Sequence, residues 1–253
     1  MALILVIPNV MEISKRHPKV FLTAKWQKLL MINYPLDAAF LEPWLPNGTE
    51  PDLFEGRCLV SMVGFLFLNT RLKGIPIPFH QQFEEVNLRF YVRRKENGVW
   101  RRGTVFIKEI VPKPAISVVA RLLYGEPYST CKMKHQWEAS DNEIQVAYRW
   151  KTGKWNSISI RSENHLQEVL PGTETEFIME HYWGYTRHDD KTTSEYAVEH
   201  PRWKVYPTIS YEAQIDFVKN YGEVFSVLEH TKASSAFLLE GSEVLVRDGR
   251  RIS

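Results

Sequence analysis

The sequence predicts an α+β protein built round an antiparallel β-barrel or strongly curved sheet, with a few short helices. Three observations carry this expectation. Roughly ten or more extended runs are separated by short turn signals rich in Gly, Pro, Asn and Asp. The 13% aromatic share, with eight Trp and eleven Tyr, favours strands. The long apolar run from Gly56 to Arg71 carries Gly64 in its middle, as the bend of a closed or curled sheet requires. No repeat, low-complexity tract or linker interrupts the chain. Residues 1–253 therefore read as a single domain, with residues 1–20 as an N-terminal arm.

Taken in order, the chain starts with an apolar stretch to Ile7 and a polar, Pro-bounded segment over residues 8–20. Leu22 to Tyr34 reads mainly as a strand that Pro35 stops. Asp37 caps a short helix from Ala38 to Leu45, closed by Pro46-Asn47-Gly48. Gly56 to Arg71 shows no alternation, which implies a strand buried on both faces. The loop Gly74-Ile-Pro-Ile-Pro78 leads to a strand from Phe83 to Lys95, a turn at Glu96-Asn97-Gly98 and a return strand from Val99 to Val111. Asn-Gly between two such runs is the strongest hairpin signal in the chain. After Pro112-Lys113-Pro114, a helix from Ala115 to Tyr124 ends at Gly125.

Further strands are expected at 128–139, 142–151 and 154–162. Thr173 and Glu176 can form a capping box for an amphipathic helix or strand lead-in over Thr173 to Tyr182. Strands are expected at Tyr182 to Thr186, Glu195 to Glu199 and Arg202 to Tyr206. A helix is expected at Tyr211 to Asn220, and two closing strands at 223–228 and 236–247.

Composition excludes several functions. A net charge of +2 offers no global attraction to nucleic acid or anionic lipid. Cys58 and Cys131 sit in no paired motif, so neither a disulfide framework nor a zinc cluster is expected. Met1 to Ile7 is too short for a secretory signal or a membrane span, which points to a cytoplasmic protein. There is no phosphate loop, nucleophile elbow or dinucleotide fingerprint, and no cofactor is expected. His181, His188, Asp189 and Asp190 are the densest set of potential metal ligands, but they read as a loop with ordinary charges, and no metal is expected.

The leading constellation lies on the strand from Phe83. Alternation sorts it into an apolar row, Val86, Leu88, Phe90 and Val92, and a polar row, Glu85, Asn87, Arg89 and Tyr91. The polar row is either a solvated face or the lining of a cavity, and alternation alone leaves both open. In a cavity, Arg89 would grip a carboxylate, and Glu85 would orient Arg89 or move a proton. His181, Trp183, Tyr185 and Arg187 form a second polar-aromatic row. Lys108 and Lys132 are candidate nucleophilic amines if desolvated, although exposed strand lysines are the ordinary reading.

Gly64-Phe65, Asn69-Thr-Arg71, Gly74-Ile-Pro-Ile-Pro78, Phe83 to Val92 and Ala120-Arg-Leu-Leu-Tyr-Gly-Glu-Pro-Tyr128 together resemble the YqjF-like family, a bacterial domain of unknown function. His200-Pro-Arg-Trp203 fits its C-terminal part, and the resemblance runs roughly from Leu22 to Tyr206. That family is similar in fold to acetoacetate decarboxylase, whose β-barrel encloses a ligand cavity. The decarboxylase forms a Schiff base through a lysine after a Gly-x-Pro turn. In this sequence Arg121 to Tyr128 looks like that element, and Tyr128 occupies the lysine position. A phenol cannot form an imine, so the resemblance implies the fold and the cavity and not the reaction.

The expected site is therefore Glu85, Asn87, Arg89, Tyr91, Arg121, Tyr128 and Tyr185, binding a small organic acid or keto acid. Glu85, Tyr128, Lys132 and Lys108 are the candidates for chemistry. The alternatives are a Schiff-base lyase using a relocated lysine, and a structural or interaction protein with a vestigial cavity.

Overall fold

The computed structural model describes residues 18–118 and 125–253. The first strands are β1 (Val20–Leu36), β2 (Glu50–Pro51), β3 (Cys58–Leu72), β4 (Ile75–Pro76), β5 (Phe83–Glu96) and β6 (Val99–Val111). After residue 125 come β7 (Tyr128–Thr130), β8 (Met133–Ala139), β9 (Glu143–Thr152) and β10 (Lys154–Glu163). The remainder are β11 (Trp183–Arg187), β12 (Thr193–Glu199), β13 (Val205–Tyr206), β14 (Thr208–Gln214), β15 (Ser235–Arg247) and β16 (Arg250–Ile252).

Twelve of these strands form one strongly curved sheet whose main path runs β13-β15-β1-β3-β5-β6-β11-β12-β16. A short ladder between β12 and β15, Val198 opposite Val246, joins two distant points of that path. The sheet is mixed: β6 pairs in parallel with β7 and with β11. A second sheet, β14-β10-β9-β8, is antiparallel throughout.

The alternation of β5 decides what lies on each face of the large sheet. Val86, Leu88, Phe90 and Val92 join Leu30, Ile32 and Met62 in a core completed by Val146, Tyr148, Trp150 and Ile158 of the second sheet. The opposite face carries a second core that includes Met31, Phe65, Phe67, Tyr91, Ile178 and Trp203. Burial of such apolar area, at roughly 25 cal/mol per Å², is the main force holding the two sheets together.

Gly64 lies beside an irregularity, as expected, since Leu30 pairs with it after a register shift on β1, and it has a second role. Its pairing with Val86 is regular. A Cβ there would stand 2.7 Å from the Tyr148 ring, so glycine is required by the close approach of the second sheet. The irregularity lies on β1, where register shifts between Gln27 and Leu30 and Lys28 takes φ 54°. Tyr148 donates its hydroxyl to the Lys28 carbonyl at 2.9 Å, which satisfies a group that the bulge frees from the ladder. The Asn97-Gly98 turn has positive φ at both residues, as a type I′ hairpin demands.

Several boundaries differ from expectation. The run 128–139 is two strands of different sheets, β7 and β8. Tyr211 to Gln214 continues β14, and the helix spans only Phe217–Tyr221, capped by Asp216. Residues 223–229 form a 3-10 helix, its Phe225 and Leu228 turned into the core. Helical spacing and a two-residue period are hard to tell apart over such short apolar runs. Thr173 caps Glu174–Met179 by accepting from the Glu176 N–H. The expected helix from Ala115 begins as predicted, while its residues 119–124 lie outside the described residues, as do residues 1–17 of the N-terminal arm.

Candidate functional site

Three of the four members of the polar row of β5 line a pocket of about 220 Å³. Glu85, Asn87 and Arg89 line it from β5, and Thr104, Phe106 and Glu109 line it from β6. Glu126 enters from the segment before β7, Tyr128 from the first position of β7, Tyr196 from β12, and His181 and His200 from neighbouring loops. The remaining wall is mostly apolar, with aliphatic side chains such as Met31, Ile178 and Met179 beside an aromatic group in which Trp26 lies 5.1 Å from Phe65 and Phe67 stacks on Phe83 at 4.6 Å.

A bulge determines which β6 side chains reach this space. Leu88 pairs with Lys108, but Arg89 pairs with Phe106, so Ile107 is the extra residue. The shift lets Phe106 and Glu109 share the pocket face, which strict alternation forbids. Ile107 belongs to the core between the sheets, and Lys108 donates to the Asn220 carbonyl at 2.7 Å on that same side.

Three carboxyl groups meet at one end of the pocket. Asn87 donates to Glu85 Oε1 at 3.0 Å, and the Tyr128 hydroxyl donates to Glu85 Oε2 at 3.0 Å. Tyr196 donates to Glu126, which is in turn hydrogen-bonded to Glu109. Burial pushes Glu85 up to about 7, only partly countered by hydrogen bonds from Asn87 and Tyr128. Burial also raises Glu109 well above the usual carboxylate range, reinforced by the charges of Glu126 and Glu85, and it raises Glu126. Tyr128 is raised as well, by burial and then by Glu109, so its phenol remains a donor. Such a cluster stores protons at neutral pH, because adjacent carboxylates cannot all ionise in a dry site.

Arg89 stands at the other end of the β5 row. It is 9% exposed and its Nε is buried without a hydrogen-bond partner. Its Nη2 has a weak 3.8 Å contact with Met31 Sδ, and the guanidinium sits 5.7 Å from the Tyr91 ring centre. Among the described residues it forms no salt bridge. His200 is stacked on Trp203 at 3.9 Å. Burial lowers His200 to about 4, partly offset by the Pro201 carbonyl and aided by the Arg89 charge, which leaves the imidazole neutral.

The other expected site residues are placed differently. Tyr91 does not line the pocket; it lies behind Arg89 with its hydroxyl 2.6 Å from Ser61 Oγ. Tyr185 is packed in the core between the sheets, against Gly103, and does not line the pocket. Lys132 is exposed, and among the described residues no lysine lines the pocket. Arg121 lies outside the described residues. Glu109, Glu126, Tyr196 and His200 are pocket residues that the sequence did not single out as such. Glu126, inside Gly125-Glu-Pro-Tyr128, was the one with a signal: a carboxylate fixed next to a proline turn.

This architecture is that of the acetoacetate decarboxylase-like proteins. It resembles acetoacetate decarboxylase from Legionella pneumophila with a TM-score of 0.64 and 12% identity, over 98% of this chain and 93% of that one. An acetoacetate decarboxylase-like enzyme from Sphingomonas wittichii RW1 matches with a TM-score of 0.61 and 13% identity, over 92% and 93%. The enduracididine biosynthesis enzyme MppR, complexed with pyruvate, matches with a TM-score of 0.60 and 14% identity, over 96% and 93%. At such identities the likeness concerns the fold. Residues 23–243 match DUF2071, described as an uncharacterized conserved protein, and the chain belongs to that family. It is also 30% identical over 112 residues to the uncharacterized protein YqjF of Bacillus subtilis (strain 168). That match spans 44% of this chain and 45% of the relative.

Proposed function

We propose that the pocket binds a small organic acid without a covalent bond, holding its carboxylate on Arg89. One observation carries this reading. A buried guanidinium with an unpartnered Nε and, among the described residues, no salt bridge is costly unless a bound anion completes it. Arg offers two parallel N–H donors to a carboxylate, and the apolar wall suits the carbon skeleton of a small acid. Glu85, held at about 7, can gain or lose a proton near neutral pH, with Tyr128 as the donor that steadies its charged form. The site therefore suits acid/base chemistry on the bound acid. A Schiff-base lyase finds no support from Lys108, whose ammonium is turned to the other side of β6, or from the exposed Lys132.

Thermal melting with a panel of aliphatic and keto acids tests the reading. A ligand at about one hundred times its Kd adds about 2.7 kcal/mol to the native state. The expected result is a rise in Tm for the wild type that Arg89→Ala abolishes, each protein being compared with its own unliganded melt. If no acid raises Tm, or the Arg89→Ala protein keeps the full rise, the proposal is wrong.

A further inference from the structure

The unpartnered polar atoms of the pocket differ from one end to the other. At Arg89 the buried atom without a partner is Nε, a donor; Trp26 Nε1, a second donor, and Thr70 Oγ1 are unpartnered elsewhere on the lining. At the Glu85 end the buried atoms without a partner are Asn87 Oδ1 and Glu109 Oε2, both acceptors, on residues 1% and 2% exposed. An acid group satisfies the first and has nothing to offer the second. An ammonium or amidinium carries only donors, and it is the natural partner for a set of acceptors. The charge balance runs the same way, since three carboxyl groups face this space with Arg89 and, among the described residues, no lysine.

We infer that the ligand is an amino acid in the broad sense: a carboxylate that Arg89 holds, joined by a short carbon chain to a protonated amine or amidine that sits against Asn87, Glu109 and their neighbours. This rests on the organic-acid reading above and narrows it. Glu85 and Arg89 are four residues apart on one strand, about 13 Å between Cα atoms at ~3.3 Å per residue. Both side chains reach into the same pocket, so a chain of a few methylenes bridges the two ends. Trp26, Phe65 and Phe67 supply an apolar wall for those methylenes. An ammonium arriving at the carboxyl cluster stabilises its ionised form, so binding displaces a proton into solvent.

Calorimetric titration of the whole chain at pH 6 separates the possibilities. The probes are γ-aminobutyrate and ε-aminocaproate, each paired with its deaminated counterpart, butyrate and caproate. The titrations are repeated in two buffers of different ionisation enthalpy, which reports the protons released. The expected result is binding of one amino acid at least about tenfold tighter than its deaminated counterpart, with proton release seen only for the amino acid. Glu109→Gln should erase the preference while caproate or butyrate binding persists. The buffer comparison on the wild type gives the answer even where that variant fails to fold. If the plain acids bind as tightly as the amino acids, or no proton is released, this inference falls and the organic-acid reading stands. If neither kind of acid binds, both fall.

Discussion

The Tyr128 hydroxyl donates a 3.0 Å hydrogen bond to Glu85 Oε2, joining the start of β7 to β5 across the pocket. Tyr128, directly after the Gly125-Glu-Pro127 turn, thus holds a carboxyl group in place. Tyr128→Phe removes the donor and keeps the ring. Glu85 should then titrate higher, because the hydrogen bond favours its charged form. Carbon-detected NMR of the carboxyl groups would read the shift. A Glu85 titration unmoved in the Tyr128→Phe protein would show that the bond has no electrostatic consequence.

The contribution of Glu85 to stability should fall as pH rises from about 4.5 toward 7, against the rise that His181 and His200, both lowered to about 4 by burial, contribute up to about 6.5. The ordinary carboxyl value is 4.5 and folded Glu85 is held up to about 7, so the native state binds this proton more tightly. The stabilisation is complete below 4.5 and is lost as pH climbs through 7. At about 1.4 kcal/mol per unit this amounts to about 3 kcal/mol for Glu85. Glu109 and Glu126 act in the same direction. Urea unfolding at several pH values measures the slope, and the stability difference between the wild type and Glu85→Gln should fall across this window. An equal slope in that variant would assign the effect elsewhere.

Gly64→Ala should destabilise the fold by about 1–3 kcal/mol through overpacking, since its Cβ would lie 2.7 Å from the Tyr148 ring. A double-mutant cycle with Tyr148→Leu should recover part of that loss. Additive costs would mean that the contact between sheets is not what requires glycine.

Glu195→Ala should cost about 3 kcal/mol, because the carboxylate is 1% exposed and accepts from Arg94, Arg101 and Arg250. These bonds tie the β5–β6 hairpin to β12 and β16. Hydrogen exchange should therefore accelerate at the β12–β16 ladder, and unfolding free energy within about 0.5 kcal/mol of wild type would refute the assignment.

Local patterns were legible wherever one residue's neighbours along the chain settle its structure. The Asn97-Gly98 hairpin, the Thr173 cap and the two faces of β5 all follow from turn chemistry, capping and a two-residue period. The short elements after residue 208 were not legible, because Tyr211 and Phe225 take their conformation from the sheet and core they meet.

The site divides along the same line. By itself the sequence determined that Glu85, Asn87 and Arg89 share a face, because alternation is a local property of an extended backbone. It also determined that no lysine follows the Gly-x-Pro turn. Only the tertiary structure decided that this face borders a pocket, because its walls come from strands far apart in the chain. It likewise decided that Glu109 joins the face and Lys108 leaves it. A single extra residue at Ile107, set by pairing with β5, reverses the order in which β6 presents its side chains.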